Sequence, residues 1–256
     1  IRELIEDAKD AVGADTAIAF RMAVDDDGWP DPLVPRDDIG EAVSLLAELP
    51  DLWDVNVAGW ARDSSTARFE PTEGYQDDAI AFVKGLTTKP VVGVGRYTSA
   101  DGMVARLNKG LIDFIGAARP SIADPFLPNK IAEGRIDDIR ECIGCNVCVA
   151  SDSQMVPLRC TQNPTMGEEW RRGWHPERVA VVGARKSCLV VGAGPAGLEC
   201  ALQLGRRGYS VTVAESSSEL GGRAARECRL PGLASYGRIR DYRVGQLASM
   251  SNVEVY

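Results

Sequence analysis

The chain has 256 residues, 45% of them hydrophobic, which fits one or two globular domains and excludes global disorder. Its 29 lysines and arginines against 37 aspartates and glutamates leave a net charge of −8, which speaks against a nucleic-acid-binding face. No apolar run approaches the ~20 residues of a membrane helix and no signal peptide opens the chain, so a cytoplasmic protein without nucleic-acid or membrane partners is expected.

The chain starts at Ile1 inside a helical pattern (Leu4, Ile5, Ala8, Ala11, Val12) and stops at Tyr256 on a strand-like pattern (Val253, Val255). An internal segment of a longer polypeptide is expected, inactive in isolation. From 1 to 135 short apolar runs predict strands at Thr16 to Ala23, Trp53 to Ala58, Pro90 to Gly95 and Leu111 to Ala117. Amphipathic stretches such as Asp38 to Leu49 and Gln76 to Gly85 predict helices between them. Alternation of this kind means parallel strands with helical crossovers, either half of an eight-stranded barrel or most of a doubly wound sheet. Polar residues at four successive strand ends (Arg21, Trp60 with Asp63, Gly95 with Arg96, Arg119) favour the barrel, whose active sites gather at that face.

From 136 to 180 cysteines cluster and periodicity fades. Cys142, Cys145 and Cys148 form C-x2-C-x2-C, and Cys160 follows the third after eleven intervening residues. Three thiolates on one tight loop plus one remote thiolate suit a four-iron cube, with the opening spacing of ferredoxin-type runs. Zinc sites pair their ligands two and two, which this spacing does not, and disulfides rank last in a chain without a signal peptide. Cys188, Cys200 and Cys228 are read as small buried apolar residues. His175, the one histidine, sits away from any strand end and is assigned a surface or packing role.

A third segment, 186 to 256, opens with a strand at Cys188 to Val191, then Gly192-Ala-Gly194-Pro-Ala-Gly197, a helix at Ala196 to Arg207 and a strand at Tyr209 to Ala214. A G-x-G-x-x-G between a strand and a helix lets a pyrophosphate approach the backbone and meet the helix N-terminus. Glu215 ends the next strand, where an acidic residue takes a ribose hydroxyl pair, and Gly222 with Arg223 supplies a second flexible turn. The ligand is ADP, FAD or NAD(P).

Gly95-Arg96 and Gly116-Ala-Ala118-Arg119 combine open backbone N–H groups with arginine forks and read as a phosphate site. Arg21, taken as a buried cation, needs an electron-rich partner, either a flavin N1–C2 edge or the carboxylate of Asp25 or Asp26. Trp60 is able to hold an organic cation and Asp63 to orient a catalytic group; a rim tryptophan and a solvated aspartate are the alternative.

Ile115-Gly-Ala-Ala-Arg-Pro-Ser-Ile-Ala-Asp-Pro, Cys142-Ile-Gly-Cys-Asn-Val-Cys, Cys160-Thr-Gln-Asn-Pro and Arg171-Arg-Gly-Trp-His-Pro together resemble the trimethylamine, dimethylamine and histamine dehydrogenase family, with 2,4-dienoyl-CoA reductase more distant. The resemblance implies an α/β fold: the C-terminal half of a TIM (β/α)8 barrel holding FMN, a 4Fe–4S segment, and the start of a Rossmann-like nucleotide-binding domain. It implies Arg21 at the flavin ring and Gly95, Arg96, Ala118 and Arg119 at the FMN phosphate. It likewise implies the four cysteines as cluster ligands, and Gly192, Gly194, Gly197, Glu215, Gly222 and Arg223 at the ADP-type site. Trp60 corresponds to one wall of an aromatic bowl for the alkylammonium, and Asp63 to the carboxylate of a Tyr–His–Asp arrangement. Asp152 stands where the trimethylamine enzyme has a bowl tryptophan, which points to a dimethylamine- or histamine-like substrate. The expected enzyme is an amine dehydrogenase, a homodimer passing electrons to electron-transferring flavoprotein; the alternative is an NAD(P)H-dependent enoate or dienoyl-CoA reductase.

Overall fold

The computed structural model describes residues 1–24, 36–57, 73–183 and 185–256. The chain forms two compact units, dividing between Ala118 and Arg119.

The first unit opens with helix α1 (Arg2–Val12), which buries Ile5 and ends at Gly13 in a left-handed backbone. Strands β1 (Ala19–Ala23), β2 (Leu52–Asn56), β3 (Val91–Gly93) and β4 (Phe114–Ile115) pair in chain order, all parallel. Helices α2 (Arg36–Leu46), α3 (Asp77–Lys84) and α4 (Ala100–Asn108) fall between them. A doubly wound sheet reverses strand order at a switch point; an unreversed run with right-handed crossovers moves one way round, as a barrel does.

Register places Phe20, Trp53 and Val91 on one face and Arg21, Asp54, Val92 and Phe114 on the other. The first face is the core side: Trp53, Val55 and Val91 are buried, and Ile80 of α3 packs against Gly93. Trp53 meets Phe20 edge-on at 5.4 Å and donates its Nε1 hydrogen to the Ala47 carbonyl at 2.9 Å. The second face is more open, with Phe114 54% exposed.

The second unit takes in helix α5 (Ala118–Ala123) from its second residue and then α6 (Leu127–Ala132). The cysteine segment follows, with α7 (Val147–Ser153) and α8 (Glu169–Arg172). Asn163 donates to the Ile122 carbonyl at 3.1 Å, and the Arg140 amide to Asp124 at 2.9 Å, tying that segment to α5 and α6. Then come β5 (Ser187–Val191), α9 (Pro195–Arg206), β6 (Ser210–Ala214), α10 (Gly222–Glu227), α11 (Gly237–Ala248) and β7 (Val253–Val255). The three strands are parallel in the order β5-β6-β7 over a core of Val190, Leu198, Leu202, Val211, Val213 and Leu247. None of the described helices is long and apolar enough to cross a membrane.

Candidate functional site

Arg21 is not the buried cation expected at a strand end. It is the third of five residues in β1, its side chain is 54% exposed, and it pairs with Asp54 of β2 at 3.2 Å. Strand alternation is the reason: Phe20 and Met22 take the core face and turn Arg21 to the other. Asp25, Asp26, Trp60 and Asp63 lie outside the described residues.

Beyond β3, the chain turns at Gly95 and Arg96. Gly95 lies against Gly74, whose amide donates to the Gly95 carbonyl at 2.8 Å, so a side chain at 95 would strike backbone. Arg96 has φ +54°, a conformation that a non-glycine residue holds only when its surroundings impose it. Those surroundings include a network that no local pattern announces. Glu73 accepts from the Thr98 hydroxyl at 2.8 Å and the Ser99 amide at 3.0 Å. Asp77 accepts from Arg106 at 2.8 Å and from the buried Tyr97 hydroxyl at 2.8 Å; burial first, then Asp77, raises the Tyr97 phenol.

Ala118 and Arg119 open α5. Arg119 is buried, and its Nη1 donates to the Asn146 side-chain oxygen at 2.7 Å. Asn146 stands between Cys145 and Cys148. It and Gly144 both take left-handed backbone, with φ +58° and +65°, which coils the C-x2-C-x2-C loop tightly.

Cys142, Cys145, Cys148, Cys160 and Arg119 all line one small cavity. All seven cysteines are free thiols. Burial pushes the Cys142 and Cys148 thiols up and takes Cys160 up to about 11, while the Arg119 charge opposes the rise at Cys142 and Cys148. The Gly144 amide points at the Cys142 sulfur at 3.4 Å, and Cys145 meets the Thr161 hydroxyl at 3.2 Å. Among the described residues no three His, Cys, Asp or Glu are grouped to hold a single metal ion. Four sulfurs spread round a cavity, with amide donors and a cation, are instead a donor set that suits a polynuclear iron–sulfur cluster, whose binding replaces thiol protons with iron.

Near Cys160, Glu168 accepts from Arg159, Arg171 and Arg172 at 2.6, 2.6 and 2.7 Å; the Arg171 hydrogen bonds are the main reason its carboxyl lies below the usual range. Of the surface and packing roles expected for His175, the structure shows packing: Nδ1 accepts the Glu177 and Arg178 amides at 3.0 and 2.9 Å, and the ring stacks on Phe126. Asp152 is exposed in the last turn of α7. The remaining cysteines correct an expectation. Cys200 is exposed and Cys188 and Cys228 only half-buried, Cys228 because it follows the last residue of α10 instead of lying within its packed face.

The glycine turn between β5 and α9 has the geometry that its sequence demands. Gly192 has φ +92°, Gly194 caps α9, Pro195 fills its first turn, and Gly197 packs on the Gly192 carbonyl. A second glycine turn closes on the first: the Gly221 amide donates to the Ala193 carbonyl at 2.8 Å, and Gly222 lies against Gly194. Glu215 accepts the Ala193 amide at 2.7 Å and the Ser217 amide at 2.9 Å, and these bonds hold its carboxyl below the usual range. Arg223 is exposed and pairs with Glu227 at 2.5 Å. Beside the turn, an apolar cavity lined by Pro195, Arg223, Tyr236, Ile239, Pro164 and Cys160 leads from the start of α9 to a cysteine of the first cavity.

Comparison with known proteins matches this geometry. The sequence pattern of the NADH:flavin oxidoreductase / NADH oxidase family fits residues 1–138, and that of an NAD(P)-binding Rossmann-like domain fits residues 190–251. A dimethylamine dehydrogenase of Hyphomicrobium sp. (strain x) is 45% identical over 97% of this chain and 34% of its own length. A 6-hydroxypseudooxynicotine amine oxidase from Pseudomonas geniculata N1 superposes with a TM-score of 0.94 at 55% identity, over 100% of this chain and 38% of its own. Histamine dehydrogenase from Rhizobium sp. 4-9 gives 0.94 at 52% identity, over 100% and 37%. The chain thus spans somewhat more than a third of these relatives. With a parallel sheet in unreversed order, a nucleotide-type glycine turn and a match covering more than half its length, this chain belongs to the NADH:flavin oxidoreductase / NADH oxidase family.

Proposed function

We propose that the chain is part of an iron–sulfur flavoprotein amine dehydrogenase that oxidises a small dimethylamine- or histamine-like amine and delivers electrons to electron-transferring flavoprotein. The observation that carries this reading is the single cavity lined by Cys142, Cys145, Cys148 and Cys160 with Arg119, in a chain of a flavin-dependent family. The two amine-oxidising structures alike over its full length supply the substrate class. Bound FMN would accept the electron pair from the carbon next to the amine nitrogen, and a 4Fe–4S cluster would carry electrons onward singly.

The chain's own residues bind and orient. Gly95, Arg96, Ala118 and Arg119 would take the FMN phosphate through backbone N–H groups and guanidinium forks. Arg21 would stabilise negative charge on the reduced ring; on this reading it gives up part of its contact with Asp54. Trp60 would face the substrate cation and Asp63 would hold the acid–base partners. Asp152 would accept N–H donors, of which a protonated secondary amine offers two and a tertiary one. The bound ammonium loses two electrons and two protons, one from nitrogen and one from the α-carbon, to become an iminium, which water converts to an aldehyde and a smaller amine, or ammonia from a primary amine. Gly192, Gly194, Gly197, Glu215, Gly222 and Arg223 would hold an ADP moiety, alone or within FAD or NAD(P). The protein is taken to act as a cytoplasmic homodimer.

A second reading rests on the apolar cavity between the glycine turn and Cys160. Electrons from NAD(P)H would enter there and run the other way, making the protein an enoate or dienoyl-CoA reductase. Incubating the holoprotein with dimethylamine or histamine and a one-electron dye distinguishes the two. Aldehyde formed in proportion to dye reduced supports the dehydrogenase; dye reduction by NAD(P)H alone, without aldehyde from any amine, overturns it.

A further inference from the structure

We propose that Arg140, Arg206 and Tyr242 form a phosphate-binding site in the second unit, separate from the glycine turn. Arg206 and Tyr242 line a cavity of about 250 Å³, together with Lys130, Asp138, Glu177 and Gln246 among others. Arg206 is the last residue of α9, a helix of 12 residues or about 18 Å, so the cavity lies at the end opposite the glycine turn.

Three donors gather around the Tyr242 hydroxyl with nothing to donate to among the described residues. The phenol oxygen accepts from Arg140 Nε at 3.1 Å and from Arg206 Nη2 at 3.4 Å, which leaves its own hydrogen to be given away. The Nη1 atoms of Arg140 and Arg206 are both buried and make no hydrogen bond, and Arg140 as a whole is 2% exposed. Buried donors are nearly always paired, so three in one place point to an acceptor with several lone pairs.

Charge points the same way. The remaining partners of the two guanidiniums are neutral: the Pro176 carbonyl, on Arg140 at 2.8 Å, and the Gln246 side-chain oxygen, on Arg206 at 3.0 Å. The carboxylates of the cavity are spent elsewhere, Asp138 on Arg135 at 3.2 Å and on Gln246 at 2.9 Å, and Glu177 on Lys130. Water satisfies donors but leaves two sequestered cations without a counter-charge; an oxyanion satisfies both. Donors from three residues suit the several oxygens of a phosphate better than the two of a carboxylate, and the arginine fork matches that anion.

The test is a calorimetric titration of the holoprotein with inorganic phosphate, in a phosphate-free chloride buffer. Saturable binding is expected. Arg206→Gln should weaken it about tenfold, and Arg206→Lys and Tyr242→Phe about threefold each, since one loses the fork and the other the hydroxyl donor. Should Arg206→Gln fail to fold, the Arg206→Lys and Tyr242→Phe titrations decide. Glycerol phosphate identifies the source of the anion: binding tighter than that of inorganic phosphate supports a phosphate ester as the ligand, and weaker binding supports free phosphate. Failure of the parent to bind phosphate, or acetate binding in its place, would overturn the site. So would phosphate binding that is lost in Gly194→Ala but kept in the Arg206 and Tyr242 variants, because it would belong to the glycine turn.

Discussion

Gly197 packs so closely on Gly192 that a β-carbon at 197 would collide with the Gly192 carbonyl oxygen, whereas one at Gly194 would meet nothing within 4 Å. The two glycines of one motif therefore serve different ends. The first contact closes the strand–helix junction; the second leaves space for a ligand. Gly197→Ala is expected to destabilise the fold by about 1–3 kcal/mol, the cost of overpacking, and to lower the thermal midpoint. Gly194→Ala should keep the midpoint and weaken ADP or NADH binding at least tenfold. Calorimetry of unfolding and of nucleotide binding reads both, and equal behaviour of the two variants would contradict the division.

Glu215 gives this turn a pH dependence. Its carboxyl is held below the ordinary value by the Ala193 and Ser217 amides. A depressed carboxylate contributes stability that is present above its unfolded pKa, about 4.3, and is lost as pH falls through the folded value. Glu215→Gln should therefore be less stable than the parent at pH 7, with the gap closing below about pH 4. A gap that is constant across this window in urea titrations would assign the effect to shape rather than charge.

Much of the fold was legible because its signals are local. Apolar runs marked every strand within a few residues, and strand–glycine turn–helix marked the nucleotide unit. The strand predicted at Leu111 to Ala117 shrinks to Phe114–Ile115, since Asp113 spends its carboxylate on the Val91 amide and Lys84, and Gly116 already turns away. The cysteine spacing suggested a shared ligand set, and the four cysteines line one cavity. What escaped was pairing between distant residues. Arg21 with Asp54, Glu73 with Thr98, Arg119 with Asn146 and Glu168 with three arginines join positions that no periodicity links.

Lys130 and Asp124 belong to that hidden class. They pair at 2.7 Å, both 1% exposed, with Glu177 also on Lys130. Removing one partner of such a pair strands a buried charge. Lys130→Met should cost about 3–5 kcal/mol, and adding Asp124→Leu should recover part of it. Denaturant melts of the single and double variants measure this; full additivity of the two losses would contradict the coupling.

The seven cysteines should split by function. Cys142, Cys145, Cys148 and Cys160 changed singly to Ser should each lower bound iron and acid-labile sulfide severalfold, whereas Cys188→Ser, Cys200→Ser and Cys228→Ser should leave both at the parent's level. Colorimetric iron and sulfide counts on purified protein check this.

Asp152 carries the substrate argument on this chain. Asp152→Trp exchanges hydrogen-bond acceptance for an aromatic face and should shift kcat/KM from secondary towards tertiary amines about tenfold. An unchanged ratio for dimethylamine over trimethylamine removes Asp152 from the site.

The direction of electron entry separates a dehydrogenase from a reductase. An anaerobic absorbance titration of the holoprotein, with dimethylamine, histamine, trimethylamine and NAD(P)H added separately, reads it directly. Dimethylamine or histamine should bleach the flavin band and NAD(P)H should not. Bleaching by NAD(P)H with no response to any amine would contradict amine oxidation and make this chain part of a reductase.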